Sequence, residues 1–447
     1  MYIYFLLLNM FKDMFLSGQL KEHVGEVIEI RWWLHTVRVV SSNLAFLIVR
    51  DRQGLAQVVF EDPEEIKKLD GCLLGTILSA KWTVAEMPKG KFRFELQRAS
   101  VNIIRKITYP SPIDISKDEI HADGETLLEN KVVTLRHPRQ MKIFKIAAII
   151  EKHMRGFFDQ NDFTQINSPK IIGFPTEWWA EVFEIDYFGR KAYLAQSPQF
   201  YKQMMVPVFE KVYEIWRAYR AEKSNTSRHL SEILMLDMEM WFIDSFEDII
   251  ETTERFANYV IEETRKEAED ILVSLGATKP LLVEHYPRIG VNELHELVFK
   301  ETGEDYRHEK DLSPAEEKFI CEYSNKNRNS DFVIVDGFPW SDAKFYHHQN
   351  EKNPETADRA DLLFRGVEIV TLTQREVNYQ RLVDQISEQG LDPDHPWLKH
   401  YLDAFKYGMP DEGWFGLGIA RFIQKVIGLD NIKEAELFPR DMQRVTP

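Results

Sequence analysis

Between positions 27 and 104, apolar and polar residues alternate in short runs: VIEIRWWLHTVRVV (27–40), LAFLIVRDRQGLAQVVF (44–60), TILSAKWTVAEM (76–87) and FRFELQRASVNII (92–104). A period of two places every second side chain on one face, which is the pattern of half-buried strands. Asp51-Arg52-Gln53-Gly54 and Pro88-Lys89-Gly90-Lys91 supply turn residues between them. Five short strands spaced in this way predict a small antiparallel barrel. The alternation stops at 107–130, where prolines and acids without a sustained period read as a linker.

Helical spacing follows. Ile143, Phe144, Ala147, Ile150, Met154, Phe157 and Phe158 recur every three or four residues, predicting a helix over 141–159. The stretch 163–172 is extended and contains Pro169, which belongs at an edge or an interface. A strand at 192–194 and a helix at 198–209 precede two near-continuous apolar runs, VYEIWRAYR (212–220) and ILMLDMEMWF (233–242), of the kind that suits strands covered on both faces. The amphipathic run 245–275 reads as a helix starting at Ser245, with Glu247 and Asp248 in its first turn. Strands at 332–335, 365–371 and 415–418 and a last helix at 419–427 complete the reading. Strands in runs with helices appended indicate an α+β domain on a mainly antiparallel sheet.

At 447 residues the chain exceeds one ordinary core, so two domains are expected. A hydrophobic content of 44% with 29% charged residues describes a globular protein, and the net charge of −16 excludes a general phosphate-coating surface. A local basic patch for a specific nucleic acid remains compatible with it. Cys72 and Cys321 are too far apart in sequence for a disulfide framework or a CxxC site, and a reducing cytoplasm fits them. The apolar start MYIYFLLLNMF is shorter than a membrane span and lacks the features of a secretory signal; it reads as an extra strand or an upstream start.

Between the two apolar runs lies a polar loop, 220–232, containing Arg220, Glu222, Arg228, His229 and Glu232. Alternation points Arg220 and Glu222 to one face of the first strand, and Asp237 and Glu239 to one face of the second. Buried ionic groups converging there are costly unless they meet opposite charge. The loop reads either as a structural salt-bridge network or as the anion-gripping hairpin of a nucleotide-dependent ligase. No GxxxxGK[ST] or GxGxxG loop occurs, nor a HExxH or Ser-His-Asp signature. A bound nucleotide would therefore be held by arginines, Arg220 and Arg421, whose guanidinium forks match phosphate oxygens. Glu368 with Thr371 offers oxygen ligands for Mg2+.

Taken together, YRAEKSNTSRHLSEILMLDMEM (219–240), GLGIARF (416–422) with LFPRDMQRVTP (437–447), and the helix and strand of 141–169 resemble motifs 2, 3 and 1 of class IIb aminoacyl-tRNA synthetases, nearest the archaeal-type aspartyl branch. The likeness runs from Gly25 to Pro447. It implies an oligonucleotide-binding barrel for the anticodon over 1–105, a linker over 106–130 and a class II catalytic domain over 131–447. It further implies a homodimer built through motif 1, with ATP, Mg2+, aspartate and tRNA(Asp) as partners, tRNA(Asn) being a further candidate, and no membrane. In its terms Arg220 holds the α-phosphate and the substrate carboxylate, Glu222 the adenine end, and Arg228, His229 and Leu230 the far phosphates or base. Gly418 lies in motif 3, Arg421 clamps the γ-phosphate, and Glu368 and Thr371 carry the metal.

QSPQFYKQ (196–203) matches the aspartyl form, with Gln199 in the motif. The resemblance has Lys202 and Arg375 pair with the substrate's side-chain carboxylate, Glu177 take its ammonium, and Asp237 and Thr371 line the pocket. In the barrel, Phe46 would stack an anticodon base and Gln57 hydrogen-bond one. Read without the resemblance, Phe46 and Trp33 are expected in the barrel core. Two stretches depart from the family. Glu177-Trp178-Trp179-Ala180 stands where Glu-Gly-Gly-Ala is usual, and Leu372 follows Thr371 where a glycine is usual, adding bulk to the expected pocket wall. Both fall around the amino acid, so a paralogue with another amino-acid substrate, a non-catalytic RNA-binding protein, and a tRNA-independent amide ligase stay open beside an aspartate–tRNA ligase.

Overall fold

In the computed structural model, which describes residues 15–87, 92–177, 181–223, 226 and 228–446, the chain forms two compact units, one up to residue 142 and one from residue 143. The apolar N-terminal run and the 88–91 turn lie outside the described residues.

The first unit holds a closed barrel of β1 (Val27–Ser41), β2 (Leu44–Arg50), β3 (Leu55–Phe60), β4 (Ile77–Glu86) and β5 (Phe94–Arg105), ordered β1-β2-β3-β5-β4 with β4 returning to β1. All neighbours are antiparallel except β3 and β5. Closure satisfies backbone groups that open edges would leave free. The alternation seen in sequence is the alternation of burial: Ile28, Ile30, Trp32 and Leu34 of β1 point inward with Leu47, Val58, Phe60 and Trp82. In the β2–β3 turn, Asp51 Oδ1 accepts the amides of Gln53 (2.7 Å) and Gly54 (2.9 Å). The stretch read as a linker includes a helical turn, Gly124–Glu129, capped by Asp123.

The second unit is built on β6 (Thr164–Gln165), β10 (Lys211–Tyr219), β11 (Glu232–Trp241), β12 (Arg288–Gly290), β13 (Phe332–Asp336), β14 (Arg359–Phe364), β15 (Val367–Gln374) and β16 (Glu412–Gly418). Their order is β12-β13-β14-β15-β16-β11-β10-β6, antiparallel except at β12/β13 and β10/β6. A second, three-stranded sheet contains β7 (Ile171–Ile172), β8 (Glu184–Tyr187) and β9 (Arg190–Leu194). One face of the large sheet is dry. Tyr213, Leu236, Met238, Leu372, Phe415 and Leu417 pack there against apolar residues of the helices Pro138–Gln160, Glu247–Leu275 and Ile419–Ile427. The opposite face carries the ionic residues.

The expected elements are present, with local differences. The helix expected from Ser245 starts at Glu247 behind Phe246, and Asp248 accepts the amides of Asp244 and Ser245 instead, tightening the preceding turn. The strand expected at 365–371 is a hairpin arm beginning at Val367, because Arg365 (φ 49°) and Gly366 (φ 82°) form the turn back to β14, a strand the sequence reading passed over. Leu372 is not on the pocket wall. Neighbouring strand residues face opposite ways, so with Thr371 on the ionic face Leu372 is buried in the dry core.

Gly413 marks how closely β16 meets the helix Glu247–Leu275: a Cβ there would fall 2.3 Å from Ile249 Cδ1. Gly413→Ala is therefore expected to cost about 1–3 kcal/mol through overpacking, read as a lower urea midpoint.

Candidate functional site

Strand register assembles the site. Asp361 pairs with Thr371, Thr371 with Gly416, Gly416 with Asp237, and Asp237 with Glu214, forming one row across four interfaces. Thr373, Trp414 and Glu239 form the next row on the same face. Residues distant in sequence thus become neighbours because period-two geometry repeats across hydrogen-bonded strands.

At one end lies a buried ionic network. Lys202, on the helix Gln199–Phe209, is 1% exposed, and its Nζ lies 2.6 Å from Asp237 Oδ1 and 3.5 Å from Glu239 Oε2. Arg375, 0% exposed, donates Nε to Glu239 Oε1 (2.8 Å) and Nη2 to Gln199 Oε1 (2.7 Å). Gln199 in turn donates to Gln203, and Gln203 to Glu412. Asp237 also accepts the indole N–H groups of Trp216 (2.7 Å) and Trp414 (2.8 Å). Burial opposes its charge, yet Lys202 and the two indoles hold its carboxyl below the usual range. Glu412 goes the other way: burial and the neighbouring Glu239 push its carboxyl well up.

Arg220 follows β10, its amide bonded to the Ser231 carbonyl, and its Nη2 lies 3.4 Å from Glu177 Oε2. Glu177 is its strongest electrostatic partner, and Glu222, Glu368 and Asp237 also raise its pKa. Burial pushes the Glu177 carboxyl up against that arginine. Glu222 is partly buried on the loop. At the other end, Arg421 Nη1 donates to the Glu368 carboxylate (3.0 Å) and to the Glu368 carbonyl (3.1 Å), and Thr371 Oγ1 donates to Glu368 Oε1 (3.0 Å). Burial works against the Glu368 charge, but Arg421, Thr371 and Arg359 hold its pKa low. Arg228 pairs with Glu317, whose carboxylate accepts the Glu368 amide. His229 Nδ1 meets the Thr226 hydroxyl at 2.7 Å, and burial followed by Arg421 lowers its pKa. Gly418 caps the helix Ile419–Ile427 in extended backbone, bringing Arg421 to the strand end.

Two carboxylates that the sequence reading did not select belong here. Asp361, opposite Thr371, has a pKa raised to about 7, first by burial and then by Glu368, and its Oδ1 has no hydrogen-bond partner among the described residues. It sits on β14, and an isolated Asp in an apolar strand is visible as a signal once that strand is recognised. Glu239 was seen as a charge on the same face as Asp237, but its partner Arg375 is 136 residues away. Leu230 is placed differently from the other loop residues: its side chain is in the dry core. Trp178, Trp179 and Ala180, and Ser224, Asn225 and Ser227 of the polar loop, lie outside the described residues.

On the barrel, Phe46 and Gln57 are on the outer surface, because Ala45, Leu47 and Val58 take the inner positions. Phe46 is opposite exposed Arg38, and Gln57 donates to Glu95. Neither Phe46 nor Trp33 is core; Trp32 and Trp82 fill that place.

Among the described residues no three His, Cys, Asp or Glu side chains gather as a metal cage. Glu368, Asp361 and Thr371 nevertheless form an all-oxygen donor set with one unpartnered buried oxygen, which suits a hard cation that keeps ligands from elsewhere, such as substrate phosphates. None of the helices among the described residues is long and apolar enough to cross a membrane.

The family model for class II tRNA synthetases (D, K and N) matches residues 123–442. The chain is 38% identical over 432 residues to an aspartate–tRNA(Asp/Asn) ligase of Thermus thermophilus, covering 97% of this chain and 99% of that protein. It is 36% identical over 437 residues to an aspartate–tRNA(Asp) ligase of Pyrococcus abyssi, covering 96% and 99%. In structure it is similar to the asparaginyl-tRNA synthetase of Pyrococcus horikoshii solved with asparaginyl-adenylate (TM-score 0.89, 26% identity, 98% of this chain and 100% of that one).

Lys202→Met would leave Asp237 and Glu239 without their shared cation. The expected loss is about 3–5 kcal/mol at neutral pH in urea unfolding. It should shrink as the pH falls, because protonation removes the unpaired buried charge.

Proposed function

The chain belongs to the class II tRNA synthetases of the D, K and N group, and from there we propose that it is an aspartate–tRNA ligase, activating aspartate with ATP and transferring it to tRNA(Asp). The observation that carries this reading is Arg220, set between the Glu177 carboxylate and the Glu368–Arg421 pair, with Lys202 and Arg375 deeper on the same face.

ATP is the family's energy source, and the site has cations at both ends to receive it. In the first step an oxygen of the aspartate α-carboxylate attacks the α-phosphorus. A new P–O bond forms, the bond to the bridging oxygen breaks, and pyrophosphate leaves. Arg220 is the group that would neutralise charge on the α-phosphate and orient the attacking carboxylate, with Arg421 and Arg228 toward the outer phosphates. Glu222 and His229 would border the adenine, and Glu177 would accept the ammonium. Positioning and charge neutralisation suffice here, and no nucleophilic side chain is required. In the second step a terminal hydroxyl of tRNA attacks the activated carbonyl and AMP leaves.

Mg2+ held by Glu368, Asp361 and Thr371 would supply charge neutralisation to the phosphates. The Asp361 carboxyl, neutral in part near pH 7 without a cation, would ionise on meeting one. We further propose a catalytic unit from 131 onward, an anticodon-reading barrel over 1–105 with Phe46 and Gln57 on its outer face, a cytoplasmic location, and a homodimer through the helix Pro138–Gln160. The Asp/Asn naming of the Thermus relative makes tRNA(Asn) a second RNA to test.

ATP–pyrophosphate exchange scanned over amino acids should show exchange with aspartate; silence with every amino acid would sink the reading. Arg220→Ala should lower that exchange by about 100-fold or more while leaving tRNA binding in filter assays intact. Phe46→Ala should weaken tRNA(Asp) charging by about 1–3 kcal/mol in apparent affinity without changing exchange. Charging of tRNA(Asn) in the same assay decides the breadth of RNA choice.

A further inference from the structure

Resting on the aspartate reading, we infer that Trp414 is a gate: its indole covers the two cations that would receive the substrate's side-chain carboxylate and must move aside for aspartate to bind. The indole sits on the ionic face of β16, flanked in register by Thr373 and Glu239. It is partly exposed, whereas the cations beside it are not: Lys202 Nζ lies 4.2 Å and Arg375 Cζ 4.6 Å from its ring centroid. The ring turns along its own strand, so closely that a Cβ on Gly416 would come within 2.4 Å of Trp414 Cζ2. The indole N–H donates to Asp237, the carboxylate that also holds Lys202. An aromatic ring over two buried cations and hydrogen-bonded to their counter-ion is held there by electrostatics as well as by packing.

A further feature points to a ligand behind the ring. Arg375 Nη1 is buried with no acceptor among the described residues, a guanidinium donor left open while Nε and Nη2 are taken. Arg375 Cζ also lies 4.9 Å from the Tyr346 ring, but that ring is buried, so of the two rings over the guanidinium among the described residues the partly exposed indole is the one open to solvent. Aspartate thus binds an open form, and its apparent affinity is reduced by the fraction of protein that is open.

Removing the ring should raise that fraction. In ATP–pyrophosphate exchange with the full chain, Trp414→Ala is expected to lower KM for aspartate by roughly tenfold while KM for ATP holds. Trp414→Phe keeps an aromatic ring but loses the N–H to Asp237, and a fall of about two- to threefold is expected, which serves if the alanine variant folds poorly. Wild-type indole emission should shift when aspartate is added beside a non-hydrolysable ATP analogue, and the shift should be absent in Trp414→Phe. If the wild type exchanges with aspartate but neither variant lowers KM for it, or if KM rises, the gate is overturned and the aspartate reading stands. If neither the wild type nor a variant exchanges with aspartate, the aspartate reading fails and the gate falls with it.

Discussion

Lys202 and Arg375 are buried against Asp237 and Glu239, and the arrangement of the second unit's ionic face depends on that pairing. Taking one partner away would leave a charge in a place that water cannot reach, which costs more than the pair itself contributes. The network is therefore a constraint on position more than a source of stability. It ties the helix Gln199–Phe209 to β11 through Lys202, and the residue just past β15 to β11 through Arg375. Hydrogen bonds through Gln199 and Gln203 extend it to Glu412 on β16.

The antiparallel register then distributes chemistry along the sheet. One row carries Asp361, Thr371, Gly416, Asp237 and Glu214 across five strands, so the oxygen donors at one end and the buried ion pairs at the other share a single rigid surface. The dry face gives that surface its stiffness through aromatic packing: Phe158 stacks on Tyr213, and Phe332 lies between Tyr286 and Phe364. Glycines occur where the rows come close, as Gly416 does beneath the Trp414 ring.

Much of this was legible from residue order. The barrel strands could be read from alternation because their inner and outer faces differ in polarity, and β10 and β11 from their apolar runs. Arg220, Arg421 and Glu368 were selected from their residue types, and Lys202 from a stretch that resembles the aspartyl form of the family. Asp361 was passed over because β14 is a short apolar run interrupted by charge, between Arg359 and Arg365, and was not read as a strand, and Leu372 was assigned to the wrong side because proximity to Thr371 in sequence means opposition in a strand. The start of the helix Glu247–Leu275 shifted because Asp248, and not Ser245, satisfies the local amides.

The sequence by itself determined the local patterns and the family, since periodicity, turn residues and motif spacing are properties of neighbours along the chain. Only the tertiary structure decided which charges neutralise each other. Arg375 finds Glu239, Arg421 finds Glu368, and Trp414 settles over Lys202 through contacts between strands and helices far apart in sequence. Electrostatic energy depends on distance in space and on exclusion of water, and neither can be computed from residue order.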